Sequence, residues 1–168
     1  MDVQLGKVRF IRGDNGGKYP FNHSVYLEGG DCRVVMDPSC GLQKLSDLKE
    51  KDGVDQVWLS HWHEDHIGFL NLFEGCLLRI SERDFPPLTD IEIFLDWYNI
   101  KDEQLRELWE TIVLNNFNYR PQKDALFFQD EETIDLGSLK VQIIATPGHT
   151  PGHLSFLIPD EEILFLGD

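Results

Sequence analysis

The sequence predicts a layered α/β sandwich, and three observations carry that prediction. Strand-like segments crowd both ends of the chain, while a helix and a helical pair fill the middle. The 168 residues suffice for one domain, 1–168, with a real core. A dense histidine cluster lies between an apolar β-branched run and a helix-like run, at a junction where functional loops commonly sit.

Taken in order, Val3 to Arg12 reads as one strand with Val8, Phe10 and Leu5 expected on one side. Gly13 to Lys18 is turn material. Its glycine spacing is wrong for a phosphate loop, and Tyr19 stands where Ser or Thr is required. Ser24 to Glu28 and Arg33 to Asp37 read as a hairpin around Gly29-Gly30-Asp31. His23, just before it, is a lone histidine and is read as structural. A turn follows at Asp37 to Gly41, and then an amphipathic helix over Leu42 to Glu50 with Leu42, Leu45 and Leu48 on one face.

Val54 to Leu59 reads as a buried strand. Ile67, Phe69, Leu70, Leu72 and Phe73 suit the first turns of a packed helix, and Leu77 to Ile80 a short strand. Pro86-Pro87 stops what precedes it. Thr89-Asp90-Ile91-Glu92 has the capping-box pattern and starts a helix with Ile91, Phe94, Leu95 and Tyr98. A second helix begins at Asp102, with Leu105, Leu108, Trp109, Ile112 and Val113 on one face, and ends before Pro121. This helical insertion near 89–119 is either packing alone or a pocket wall that helps set substrate choice. The wall reading fails if the pair packs away from the histidines. Strands are then expected over Ala125 to Gln129, Glu132 to Leu136, Lys140 to Ala145, Leu154 to Ile158 and Glu162 to Leu166.

The net charge of −15 argues against nucleic acid as the main partner, because phosphate binding relies on a basic surface. Three cysteines, an odd number without a Cys-x-x-Cys pair, argue for reduced thiols and a cytoplasmic location. No apolar run approaches membrane-spanning length, and Met1 to Lys7 does not read as a signal peptide, since no apolar stretch follows it. The expected partner is a small-molecule substrate.

The chemistry lies in Ser60-His61-Trp62-His63-Glu64-Asp65-His66, where three imidazoles and two carboxylates fall within six residues. In an extended segment His61 and His63 point the same way, and Asp65 and His66 follow at the turn. Such donors suit zinc or iron. Placing so many ionisable groups beside an apolar strand is costly without a cation or pairing.

His-x-His-x-Asp-His after a hydrophobic strand resembles the metallo-β-lactamase superfamily of metal-dependent hydrolases. Thr146-Pro147-Gly148-His149-Thr150-Pro151-Gly152-His153 resembles that family's second ligand segment. Leu164-Phe165-Leu166-Gly167-Asp168 resembles its third, in the same order. The resemblance implies an αββα sandwich of two facing sheets with helices outside. It also implies His61, His63 and His149 on a first metal, Asp65 and His66 on a second, and Asp168 bridging the two. Two zinc ions are the implied cofactors, with iron or manganese as other candidates. Asp65 would also orient the attacking water or shuttle its proton. His153 is expected beside the ligands and Asp37 behind them, orienting ligands by hydrogen bonds. Glu64 has no ligand role in the family pattern and is expected in solvent; Trp62 is expected to pack.

The family continues past its Gly-Asp strand and supplies a further histidine, whereas this sequence stops at Asp168 with all six histidines placed. The expectation is therefore a domain incomplete at its C-terminus, with a weakened second metal and an exposed strand edge. The implied activity is hydrolysis of an ester, thioester, lactone or amide, including glyoxalase II-like thioesters. Two alternatives stay open. One is a mononuclear iron enzyme like the persulfide dioxygenases, which share the motif; the other is a non-catalytic metal-binding domain.

Overall fold

The computed structural model describes residues 2–168. The first strand expectation resolves into two: β1 (Val3–Leu5) and β2 (Val8–Ile11) form a hairpin, because Gly6 adopts a left-handed φ of 54° between them. Leu5 is consequently exposed. β3 (Ser24–Glu28) and β4 (Arg33–Met36) form the expected hairpin. Helix α1 (Leu42–Lys51) then carries the chain over to β5 (Gln56–Trp58), which pairs parallel with β4. Leu45 and Leu48 are buried, whereas Leu42 sits at the helix start beyond the edge of the core and is exposed.

After the histidine cluster, a short helix α2 (Glu64–Ile67) and a 3-10 turn (Leu70–Phe73) replace the single helix expected there. β6 (Leu77–Ile80) continues the parallel part of the sheet. The 3-10 turn Glu82–Asp84 ends just before Pro86-Pro87, as expected, and the prolines also open a helix, since proline is pre-organised for the first helical turn: α3 spans Pro86–Thr89. Asp90 is the N-cap of α4 (Ile91–Trp97), its side chain accepting from Glu92 N, and Asp102 caps α5 (Glu103–Asn116) through Leu105 N. Within α5, Val113 is buried, but Leu105 and Leu108 face solvent; the first half of the helix meets α4 through Arg106, which pairs with Glu92 and Asp96.

β7 (Leu126–Phe127) is shorter than expected and closes the first sheet parallel to β6. β8 (Thr133–Asp135), β9 (Lys140–Ala145), β10 (Leu154–Ile158) and β11 (Ile163–Phe165) form the second. The first sheet has seven strands in order β1 to β7; the second has four antiparallel strands in order β11-β10-β9-β8.

Alternation along β4 and β5 explains the layering. Val34, Met36 and Trp58 face the second sheet and pack with Val141, Ile143 and Phe156. Val35 and Val57 face the other way, onto Leu45, Leu48, Leu88, Phe94 and Val113 of the helices. The first sheet is thus buried on both faces, which is why its central strands read as continuous apolar runs. The α/β sandwich expectation holds for these layers. Among the described residues no helix is long and apolar enough to cross a membrane.

Candidate metal centre

Three loops meet at one end of the two sheets. The first leaves β5 and carries His61, His63 and, on α2, His66; His63 is itself the N-cap residue of that helix. The second joins β9 to β10 and carries His149, and the third follows β11 and ends at Asp168. Leu154 N donates to Ser60 O at 2.9 Å, tying the first and second loops together across the sheets.

Two groups of side-chain donors converge there: His61 with His63 and His149, and His61 with His66 and Asp168. Within each group the ligand atoms lie within 4.8 Å of one another. His63 Nδ1 faces His149 Nε2 at 2.8 Å. Asp168 Oδ1 is 3.2 Å from His66 Nε2, and Oδ2 is 3.8 Å from His149 Nε2, so one carboxylate faces both groups. Asp65 joins neither group; its Oδ2 accepts from Asn22 Nδ2 at 2.9 Å, and the same amide nitrogen lies 2.6 Å from His66 Nε2.

Hydrogen bonds behind the histidines fix which nitrogens point inward. Asp37 is fully buried; its Oδ1 accepts from Ser60 N, and its Oδ2 accepts from Ser60 Oγ at 2.6 Å and from His66 Nδ1 at 2.9 Å. Ser60 has one hydroxyl hydrogen and gives it to Asp37, so Oγ accepts from His61 Nδ1 at 2.9 Å. His61 and His66 therefore both carry hydrogen on Nδ1 and turn Nε2 toward the cluster. His61 Nε2 is buried without a hydrogen-bond partner. An orphaned, lone-pair-bearing nitrogen among imidazoles and a carboxylate fits a divalent metal cation. His153 has the supporting place expected of it: Nε2 accepts from Asp168 N at 3.1 Å, and Nδ1 faces Thr146 Oγ1. Gly167 is required between them, since φ is 71° and a Cβ would lie 2.6 Å from His153 Nε2.

Charge states follow from these surroundings. Burial, and then the neighbouring imidazoles, push His61 far below the usual histidine range, and the same causes lower His63 to about 4. Burial opposes charge on His66 as well, yet Asp37, Asp168 and Asp65 outweigh it and raise His66 to about 10. The hydrogen bond to His66 holds Asp168 below its ordinary value, while burial raises Asp65.

The family model for the metallo-beta-lactamase superfamily matches residues 19–168. The chain belongs to that superfamily. A probable metallo-hydrolase of Streptococcus pyogenes serotype M6 is 29% identical over 96% of this chain and 63% of its own length. An atrochrysone carboxyl ACP thioesterase of Pseudocercospora fijiensis is 23% identical over 96% of this chain and 41% of its own length. The chain thus spans about half the length of these curated relatives. A metallo-beta-lactamase family protein of Thermus thermophilus superposes with a TM-score of 0.68 at 19% identity, over 98% of this chain and 60% of its own, and shares the fold.

In this superfamily member the helical pair lies on the side of the histidines. The Tyr98 ring, just past α4, stacks on His63 with centroids 5.7 Å apart. Trp62 packs, as expected, edge-on against Phe94, Trp97 and Tyr98. Glu64 corrects an expectation: it is buried, not solvated. Its carboxylate accepts from Tyr19 Oη at 3.0 Å and from Tyr98 Oη, phenols that arrive from two distant segments. Asn22, Glu64, Tyr98 and Asp84 are site residues that sequence reasoning did not assign. Only Glu64 carried a signal, its place inside the ligand motif.

Proposed function

We propose that this chain carries the metal centre of a hydrolase acting on an acyl substrate: an ester, thioester, lactone or amide. The observation that carries this reading is the pair of donor groups sharing His61. His61, His63 and His149 would hold one cation, and His66 with Asp168 a second, with Asp65 beside it. Zinc suits this imidazole and carboxylate set; iron and manganese are the alternatives. When bound, such cations supply Lewis acidity, acidifying water and polarising the scissile carbonyl.

The chain's own residues do the rest. Asp37 and Ser60 hold the imidazoles in the Nδ1–H form, so Nε2 stays a donor. Asp65, anchored through Oδ2 by Asn22, accepts a proton from the attacking water. Tyr98, stacked on His63, and Trp97, packed on the neighbouring Trp62, form a wall that a substrate's acyl or leaving group would meet. Among acyl substrates a thioester is favoured, supported by the thioesterase named among the relatives. The three unpaired cysteines support a cytoplasmic setting.

The test is thiol release from a panel of acyl thioesters by zinc-loaded protein, alongside lactone, ester and amide substrates. Turnover that disappears on chelation and in Asp65→Asn supports the proposal. A metal-loaded protein that turns over none of the four acyl classes refutes it.

A further inference from the structure

We propose that Asp84 is a positioning residue of the metal centre, locking the His149 loop to the His61–His63 segment. The inference rests on the metal-centre reading above. Asp84 ends the 3-10 turn Glu82–Asp84 that follows β6, far in sequence from every ligand, and is fully buried. Its Oδ1 accepts from Gly152 N at 2.7 Å and its Oδ2 from Thr150 Oγ1 at 2.5 Å. The backbone N–H of Trp62 also faces this carboxylate and favours its charged form.

The origin of these donors gives Asp84 its meaning. Trp62 stands between His61 and His63, while Thr150 and Gly152 directly follow His149. One carboxylate therefore sits between two ligand loops that start from different sheets, bonded to one and facing the backbone of the other. Burying an acid at this place is costly, and burial indeed raises its pKa. A neutral apolar residue would fill the space without that cost, but it would leave the Thr150 and Gly152 donors unpartnered and the two loops untied. The arrangement also accounts for part of the second ligand segment: a Cβ at Gly152 would lie 2.7 Å from Asp84 Oδ1 and 2.7 Å from Ser81 Oγ. Thr150 is present for its hydroxyl and Gly152 for its bare backbone, both directed at Asp84.

The experiment measures the zinc dissociation constant by chelator competition, and melting temperature by circular dichroism, for wild type, Asp84→Asn, Thr150→Val and Thr150→Ser. In Asp84→Asn an amide N–H₂ group meets donors, so one contact becomes repulsive. The dissociation constant should rise about 10–100-fold, the range for residues that orient ligands. Thr150→Val should weaken zinc binding, and Thr150→Ser, which keeps the hydroxyl, should restore it. A fall in melting temperature with the dissociation constant unmoved would mean a purely structural role and overturn the proposal. If Asp84→Asn does not fold, the threonine pair decides: equal zinc affinity for Val and Ser overturns it. Wild-type protein that holds no zinc would overturn the metal-centre reading itself, a result distinct from either.

Discussion

Asp37→Asn inverts the hydrogen-bond logic behind two ligands at once. In the wild type, Asp37 Oδ2 accepts from both Ser60 Oγ and His66 Nδ1. With an amide nitrogen in that place, His66 must accept on Nδ1 and carry its hydrogen on Nε2, where it faces Asp168 Oδ1 at 3.2 Å. Ser60 then turns its hydroxyl to His61 Nδ1, which pushes His61's hydrogen onto Nε2 as well. Both donor groups lose a lone pair, because both contain His61. Disturbing a group that orients a ligand typically costs about 10–100-fold in metal affinity, or ~1.4–2.8 kcal/mol. Strict additivity for two disturbed ligands would give roughly 10²–10⁴-fold; because they share one partner, the expected loss falls below that product. Asp37→Ala is a poorer probe. It strands three buried donors at about 1–3 kcal/mol each, comparable with a whole domain's stability. Chelator competition on folded Asp37→Asn is the assay, and zinc affinity within a factor of a few of wild type would refute the tautomer argument.

Glu64→Ala removes the acceptor shared by Tyr19 and Tyr98, and the half-buried Tyr98 phenol is left unpaired. It should cost about 1–3 kcal/mol, and a double-mutant cycle with Tyr98→Phe should show coupling; independent effects would contradict the contact. Gly167→Ala combines an unfavourable φ with a Cβ 2.6 Å from His153 Nε2. It should displace Asp168 and weaken zinc binding, to be read by the same competition assay. In chelated protein, His66 titrates at about 10, above its ordinary 6.5, because its carboxylate neighbours stabilise the charged form. Its contribution to stability is complete below about pH 6.5 and is lost as pH rises through about 10. Denaturant melts of wild type and His66→Gln across that range should diverge at low pH and converge at high pH.

The parts of this site legible in the sequence were the local ones. His61, His63, Asp65 and His66 lie on one strand-to-helix junction, and the apolar run from Val54 to Leu59 announced the buried strand that delivers them. Asp37 was legible through the family resemblance alone; the structure adds that it follows the strand beside the ligand strand, its N–H donating to Trp58 O. Asn22, Tyr98 and Asp84 were not, because each reaches the site through contacts 34 to 68 residues away in sequence. No local periodicity records such contacts. The helical stripes had a similar limit: the spacing of Leu105 and Leu108 gives a face, but not whether anything covers it. The β1–β2 turn was missed because Gly6-Lys7 interrupts an otherwise strand-like run by only two residues.

The most direct test of the metal-centre account is elemental analysis of purified wild type, His61→Ala and His66→Ala. Because His61 belongs to both donor groups and His66 to one, the account predicts roughly one to two zinc ions per wild-type chain. It predicts partial loss in His66→Ala and near-complete loss in His61→Ala. No tightly held metal in wild type, or His61→Ala retaining the full complement, would contradict it. A single iron in place of zinc would turn the chemistry from hydrolysis toward oxygenation.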